Sequence, residues 1–165
     1  PGQLLGSQND MATIRLIEVI TRLRKMGVSN YDISSTLATS VSQRLVRRVC
    51  PHCAKEREFT LEEKEIIQNI GAKYNKKFDF EGKKTFEAVG CKKCNNTGYL
   101  GRIGIFEVLI LDDEIKSLIV DNKPTVEIRK KAIENGYVPL IIDGVNKIMD
   151  GITNLQELNN KLALY

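Results

Sequence analysis

From Thr13 onward, apolar side chains recur at helical spacing. Leu16, Ile20 and Leu23 fall at i, i+4 and i+7, with Ile17 widening the stripe, and Gly27 stops the run behind Arg24 and Lys25. A second short helix is expected over Asn30–Leu37, with Tyr31, Ile33 and Leu37 apolar. Val41–Val49 (VSQRLVRRV) has no decisive period and reads either as the end of that helix or as a strand. Thr60-Leu61-Glu62-Glu63 is a capping box, which predicts a helix to about Ile70, ended by Gly71. Residues 73–84 are polar and lysine-rich, as in a loop, and Thr85–Val89 reads as a short strand. Ile103–Leu111 is apolar on both faces except at Glu107, the pattern of a strand buried inside a sheet. Four punctuated helices follow. Asp112 caps one carrying Ile115, Leu118 and Ile119; Pro124-Thr125 opens one ending near Gly136; Pro139–Met149 supplies Ile141, Val145 and Ile148; and Thr153 caps the last, with Leu155, Leu158 and Leu162. Their stripes predict a small helical bundle.

Composition narrows the class. The 165 residues are 42% hydrophobic but only 6% aromatic, without Trp, so aliphatic side chains must build the core. No apolar run reaches the ~18 residues of a membrane span. A net charge of +4 comes from 25 basic and 21 acidic residues mixed along the chain, whereas nucleic-acid binders gather positive charge into a stripe. The basic cluster is Arg44, Arg47 and Arg48; Lys76, Lys77, Lys83 and Lys84 read as solvated surface. No Gly-x-x-x-x-Gly-Lys-Ser/Thr cradle occurs. Asp112-Asp113 sits at a helix start, where capping and the dipole account for it. No constellation here runs chemistry alone, so no catalytic or cofactor-binding residue is assigned.

All four cysteines fall in one pattern, Cys50-Pro51-His52-Cys53 and Cys91-Lys92-Lys93-Cys94, two hooks with 37 residues between them. Each hook brings two thiolates to a cation from one tight turn, and two hooks complete a tetrahedron. Soft sulfur donors without an open position favour structural Zn²⁺; an iron–sulfur cluster uses the same four ligands. A disulfide framework is the third reading, opposed by the vicinal pairing and by the Lys/Glu-rich remainder. The gap exceeds the usual spacing of about fifteen to twenty residues, so a subdomain must loop out between the hooks. His52, beside four better ligands, reads as solvent-facing.

Three strings then carry a resemblance: ATSVSQRLVRRVCPHC (Ala38–Cys53), GCKKCNNTGYLGRIGIFEVL (Gly90–Leu109) and DGVNKIMDGITNLQEL (Asp143–Leu158). They resemble the C-terminal third of the hexameric ATPases that power type II secretion and type IV pilus assembly. Val19–Val28 resembles the segment after that family's histidine box, so the likeness runs from about residue 19 to 164. Residues 1–12, with no sustained period and a Gly-Ser, read as a tag or disordered leader, and the resemblance implies a partial RecA-like α/β region at 13–49. It further implies an inserted four-cysteine zinc subdomain at 50–100, a return strand at 101–111 and a small helical domain at 112–165. Cys50, Cys53, Cys91 and Cys94 would be the zinc ligands. Partners would be the other subunits of a hexameric ring and the inner-membrane platform protein, in the cytoplasm at the membrane's inner face. ATP and Mg²⁺ would belong to the full-length parent, since the Walker motifs are absent here and Ala12-Thr13-Ile14-Arg15 stands where the histidine box should fall. Gln43 and Arg44 match the family's Gln-Arg-Leu element, with a role in nucleotide contact or subunit packing. Arg102 also matches, its other reading being a salt bridge that orders the knuckle.

Metal binding would supply folding free energy on the order of 10 kcal/mol. Residues 54–90, poor in apolar side chains, are expected not to order without it. Gly90 and Gly98 would allow the tight turns that aim amides at sulfur. Replacing Cys91 by Ser is therefore expected to melt this excursion and leave the C-terminal helices folded. The alternative function is a zinc-ribbon nucleic-acid-binding module centred on Arg44, Arg47 and Arg48.

Overall fold

The computed structural model describes residues 15–162. The expected leader at 1–12, the helix start at Thr13 and the last three residues of the 112–165 segment lie outside them. Seven α-helices and four strands follow in the order α1 (Arg15–Lys25), α2 (Asn30–Thr36), β1 (Thr39–Val49), β2 (Ala54–Arg57), α3 (Leu61–Ala72), β3 (Thr85–Ala88), β4 (Tyr99–Ile110), α4 (Asp113–Val120), α5 (Thr125–Glu134), α6 (Leu140–Met149) and α7 (Leu155–Leu162). Val41–Val49 is strand. β1 pairs with β4, and β2 with β3. The Cys50 amide meets the Gly98 carbonyl beyond one end of the first pair and the Leu111 amide meets that of Ala38 beyond the other. Only antiparallel strands satisfy both bonds.

The described residues divide into two compact units, one of 15–42 plus 106–140, the other of 43–105 plus 141–162. In the first, α1, α2, α4 and α5 surround a core of Ile17, Ile20, Ile33, Leu109, Ile115, Ile119 and Ile128. Arg24 donates to the carbonyls of Ile119 (3.1 Å), in the last turn of α4, and of Lys123 (3.3 Å), in the turn that follows it. Asp112 caps α4 through the Ile115 amide at 2.8 Å. β4 departs from expectation: it begins at Tyr99, four residues early, and it alternates. Phe106, Val108 and Ile110 are exposed while Glu107 and Leu109 are buried. Over its last six residues one face of the strand is thus buried and the other exposed. Glu107 lies on that buried face because the Tyr137 hydroxyl (2.8 Å) and the Leu140 amide (3.2 Å) both donate to its Oε2.

The second unit contains the segment between the hooks. Ala54–Arg57 pairs with Thr85–Ala88, Ala54 opposite Ala88 and Arg57 opposite Thr85. The polar string AKER carries no strand signal; its conformation comes from its partner. Both capping-box bonds form, Glu63 N to Thr60 Oγ1 (3.2 Å) and Thr60 N to Glu63 Oε2 (3.0 Å). Arg57 adds a fork of two 2.7 Å bonds to the Glu63 carboxylate, which holds that carboxyl below its ordinary value. α3 runs past Gly71 to Ala72. Gly71 does not terminate the helix; it makes room, since a Cβ there would lie 2.3 Å from the Lys76 carbonyl and 3.1 Å from the Phe78 ring. Phe78, inside the expected loop 73–84, is buried, with its backbone held by the Gln68 amide. Together with Phe59, Ile67 and Ile70 it gives this segment apolar cohesion that its composition concealed.

Candidate metal centre

Strand β1 delivers Cys50, and the turn after it closes through Ala54 N to the Cys50 carbonyl at 2.8 Å, which brings Cys53 alongside. The second hook is a single 3-10 turn, Lys92–Cys94, that leaves Asn95 and Asn96 in the left-handed region at φ of 52° and 57°. Two glycines then let the hooks approach. A Cβ on Gly90 would come within 2.8 Å of the Asn96 carbonyl oxygen, and one on Gly98 within 2.6 Å of Ala88 backbone and side chain. Both have positive φ, 108° and 76°, where side chains are strained as well.

All four Sγ atoms lie within 4.8 Å of one another. The closer pairs are Cys91–Cys94 at 3.7 Å, Cys53–Cys94 at 3.8 Å and Cys50–Cys91 at 4.0 Å. A tetrahedron of ~2.3 Å Zn–S bonds has edges of ~3.8 Å. Disulfide sulfurs sit at ~2.05 Å, and the four cysteines are free. The donor set and its spacing thus fit a soft cation held in a closed, four-coordinate site.

The thiols are electrostatically unequal. Burial pushes Cys53 up to about 12. Burial acts in the same sense on Cys94, but the amides of Cys91 (3.1 Å) and Gly98 (3.3 Å) both donate to its sulfur and bring it down to about 6. Cys94 therefore offers a thiolate at neutral pH, and a divalent cation arriving there would displace the remaining protons.

Other residues singled out in the sequence fall outside this cluster. His52 is exposed, as is Gln43. Arg102 is exposed and enters no salt bridge among the described residues, so the ion pair expected to order the knuckle is not formed. Arg44 donates to the Lys161 carbonyl. Arg47 is committed to Glu157: its backbone amide meets Oε1 at 2.9 Å, while Nε and Nη2 meet Oε2 at 2.8 and 2.6 Å. Its guanidinium also lies 4.0 Å over the Tyr99 ring.

Sequence reasoning missed Glu157, and no periodic signal reveals it. Two residues after Leu155 it is rotated by ~200°, onto the face assigned to water. It also mistook the cap of α7: Asn154 Oδ1 accepts the Glu157 amide at 3.0 Å, while the Thr153 hydroxyl reaches the Arg47 carbonyl at 2.9 Å. Asn154 also donates to the Phe86 carbonyl and accepts from the Tyr99 hydroxyl. One side chain thereby ties α7 to both strands that flank the second hook.

The chain matches the family model described as type II/IV secretion system protein over residues 11–160. It is similar to the type IV pilus assembly ATPase PilB of Thermus thermophilus, 40% identical over 141 residues, covering 86% of this chain and 15% of that protein. PilB of Myxococcus xanthus is 35% identical, with coverages of 87% and 25%. The type II secretion system ATPase E of Vibrio cholerae is 35% identical, with coverages of 86% and 26%. The chain thus spans about a quarter or less of the length of these relatives. Among the described residues no helix is long and apolar enough to cross a membrane.

Proposed function

The chain belongs to the type II/IV secretion system protein family, and on that premise we propose that it is the zinc-carrying C-terminal portion of a motor ATPase for secretion or pilus assembly. Residues 13–49 and 101–111 contribute to a RecA-like core, 50–100 form the metal-bearing projection, and 112–165 supply helices divided between the two units, α4 and α5 in the first and α6 and α7 in the second. The role of this portion is architectural and interactive. It holds a rigid projection on a motor that works in the cytoplasm with other ring subunits and an inner-membrane platform protein. It does not hydrolyse ATP by itself, because the phosphate cradle belongs to other sequence.

The observation that carries this reading is the convergence of four sulfurs at tetrahedral spacing from hooks 37 residues apart. Zinc would fasten the ends of the excursion and supply no chemistry to a substrate, since a closed four-sulfur shell leaves no open position. The exposed apolar positions of β4 also support it, because Val108 and Ile110 suit a strand whose second layer lies elsewhere in a longer protein. The nucleic-acid alternative loses ground with Arg47, whose guanidinium is engaged by a buried carboxylate.

Elemental analysis of the purified chain is expected to find one zinc per molecule, and a phosphate-release assay to find no ATP turnover. Metal-free protein after purification without chelator, with the thiols unoxidised, would sink the metal reading. Turnover by the chain alone would sink the division of labour.

A further inference from the structure

Within the second unit the stretches 43–55 and 88–105, which hold the four cysteines, carry seven Lys and Arg residues and no acid. Arg47 is spent on Glu157 and Arg44 on the Lys161 carbonyl. Arg48, Lys55, Lys92, Lys93 and Arg102 are exposed, and none enters a salt bridge among the described residues. Lys55 lies opposite Glu87 in the β2–β3 register and is partly compensated. Four thiolates around a divalent cation leave a formal charge of about −2, so a metal centre balances only some of the five.

In the same unit lies a groove of about 590 Å³ lined by Val49, Phe86, Leu100 and Ile152, with Arg48 and Asp150 as its charged members. Leu100 is 41% exposed there. We propose that this groove takes an acidic segment of a partner protein, a bulky apolar side chain seated among Val49, Phe86, Leu100 and Ile152 while flanking carboxylates face Arg48 and the hook cations. The assignment deepens the interactive role proposed for the projection by naming its partner's chemistry.

Two features select a protein over other polyanions. An apolar groove is surface that a phosphodiester backbone does not use. The Tyr99 ring already stacks on the Arg47 guanidinium, at 4.0 Å, which takes one of its faces from base stacking. Of the two charged lining residues, Arg48 attracts the partner's carboxylates and Asp150 opposes them.

Fluorescence anisotropy on the zinc-analysed whole chain tests this, using a labelled peptide with leucines set among Asp and Glu. Controls are the same peptide with Ser for Leu, the same with Lys for each acid, a short single-stranded DNA and vesicles of anionic phospholipid. The leucine-acid peptide is expected to bind best, with affinity falling as salt rises. Arg48→Glu should weaken it about tenfold and Leu100→Ser severalfold, while Asp150→Asn tightens it about twofold. Each variant must keep its zinc and helical circular dichroism; Lys93→Glu stands in for any that does not. No binding of the leucine-acid peptide overturns the proposal. So does equal binding of the serine peptide, tighter binding of DNA or vesicles, or indifference to Arg48→Glu and Lys93→Glu. Any of these with zinc present leaves the metal reading standing, whereas zinc-free protein that still binds the peptide overturns the metal reading alone.

Discussion

Arg47 and Glu157 are unequal members of one ion pair. The Glu157 side chain is fully buried, whereas that of Arg47 remains 41% exposed. Arg47→Met strands a carboxylate away from water and should cost about 3–5 kcal/mol. Glu157→Gln leaves a cation that can turn outward, so it should cost less, about 1–3 kcal/mol. Urea unfolding of both variants checks the order, and equal midpoints would contradict it. A second carboxylate gives a pH signature. Glu63 is held low, first by the hydrogen bonds from Arg57 and then by the capping amide of Thr60. A lowered folded value means stability that is present above the ordinary value of 4.5 and is lost as pH falls through the folded value. The stability difference between the parent chain and Glu63→Gln should therefore shrink as pH drops below 4.5 and stay flat above about 6. The cysteines were legible at this scale because their spacing is itself the chemistry. Glu157 was not, because what buries it is a partner 110 positions away in sequence.

Elements were readable where local signals decide them. The Thr60–Glu63 box and the Asp112 cap appear as spelled, and Thr60→Ala should cost about 1 kcal/mol in thermal unfolding. Elements decided by tertiary partners were not readable: β2 has no strand composition, α3 passes through a glycine that serves packing, and β4 alternates. The Cys91→Ser expectation also changes. Val49 N bonds to the Ile152 carbonyl, Thr153 to the Arg47 carbonyl and Asn154 to the Phe86 carbonyl, so the helices after Leu140 are tied to the strands that bear the hooks. Cys91→Ser should then lower amide-exchange protection in α6 and α7 as well as around the hooks, and leave α4 and α5 protected. α3, with Phe59, Ile67 and Phe78 beneath it, should keep partial protection. Loss confined to residues 54–90 would restore the simpler picture.

At the scale of the whole molecule, the sequence divides the tail at 112, while the contacts divide the chain at 42–43, 105–106 and 140–141. Chain order made four helices look like one bundle, but α4 and α5 belong to the first unit and α6 and α7 to the second. The row of Phe106, Val108 and Ile110, joined by Val41 on β1, has a practical consequence. Exposed aliphatic side chains such as Val108 and Ile110, on strands that each have one strand neighbour among the described residues, invite stacking with identical neighbours. Concentrated samples should grow turbid and bind thioflavin, and Ile110→Lys should delay both. The same stickiness makes this strand a hazard during synthesis, when nascent copies crowd one another before a covering layer arrives.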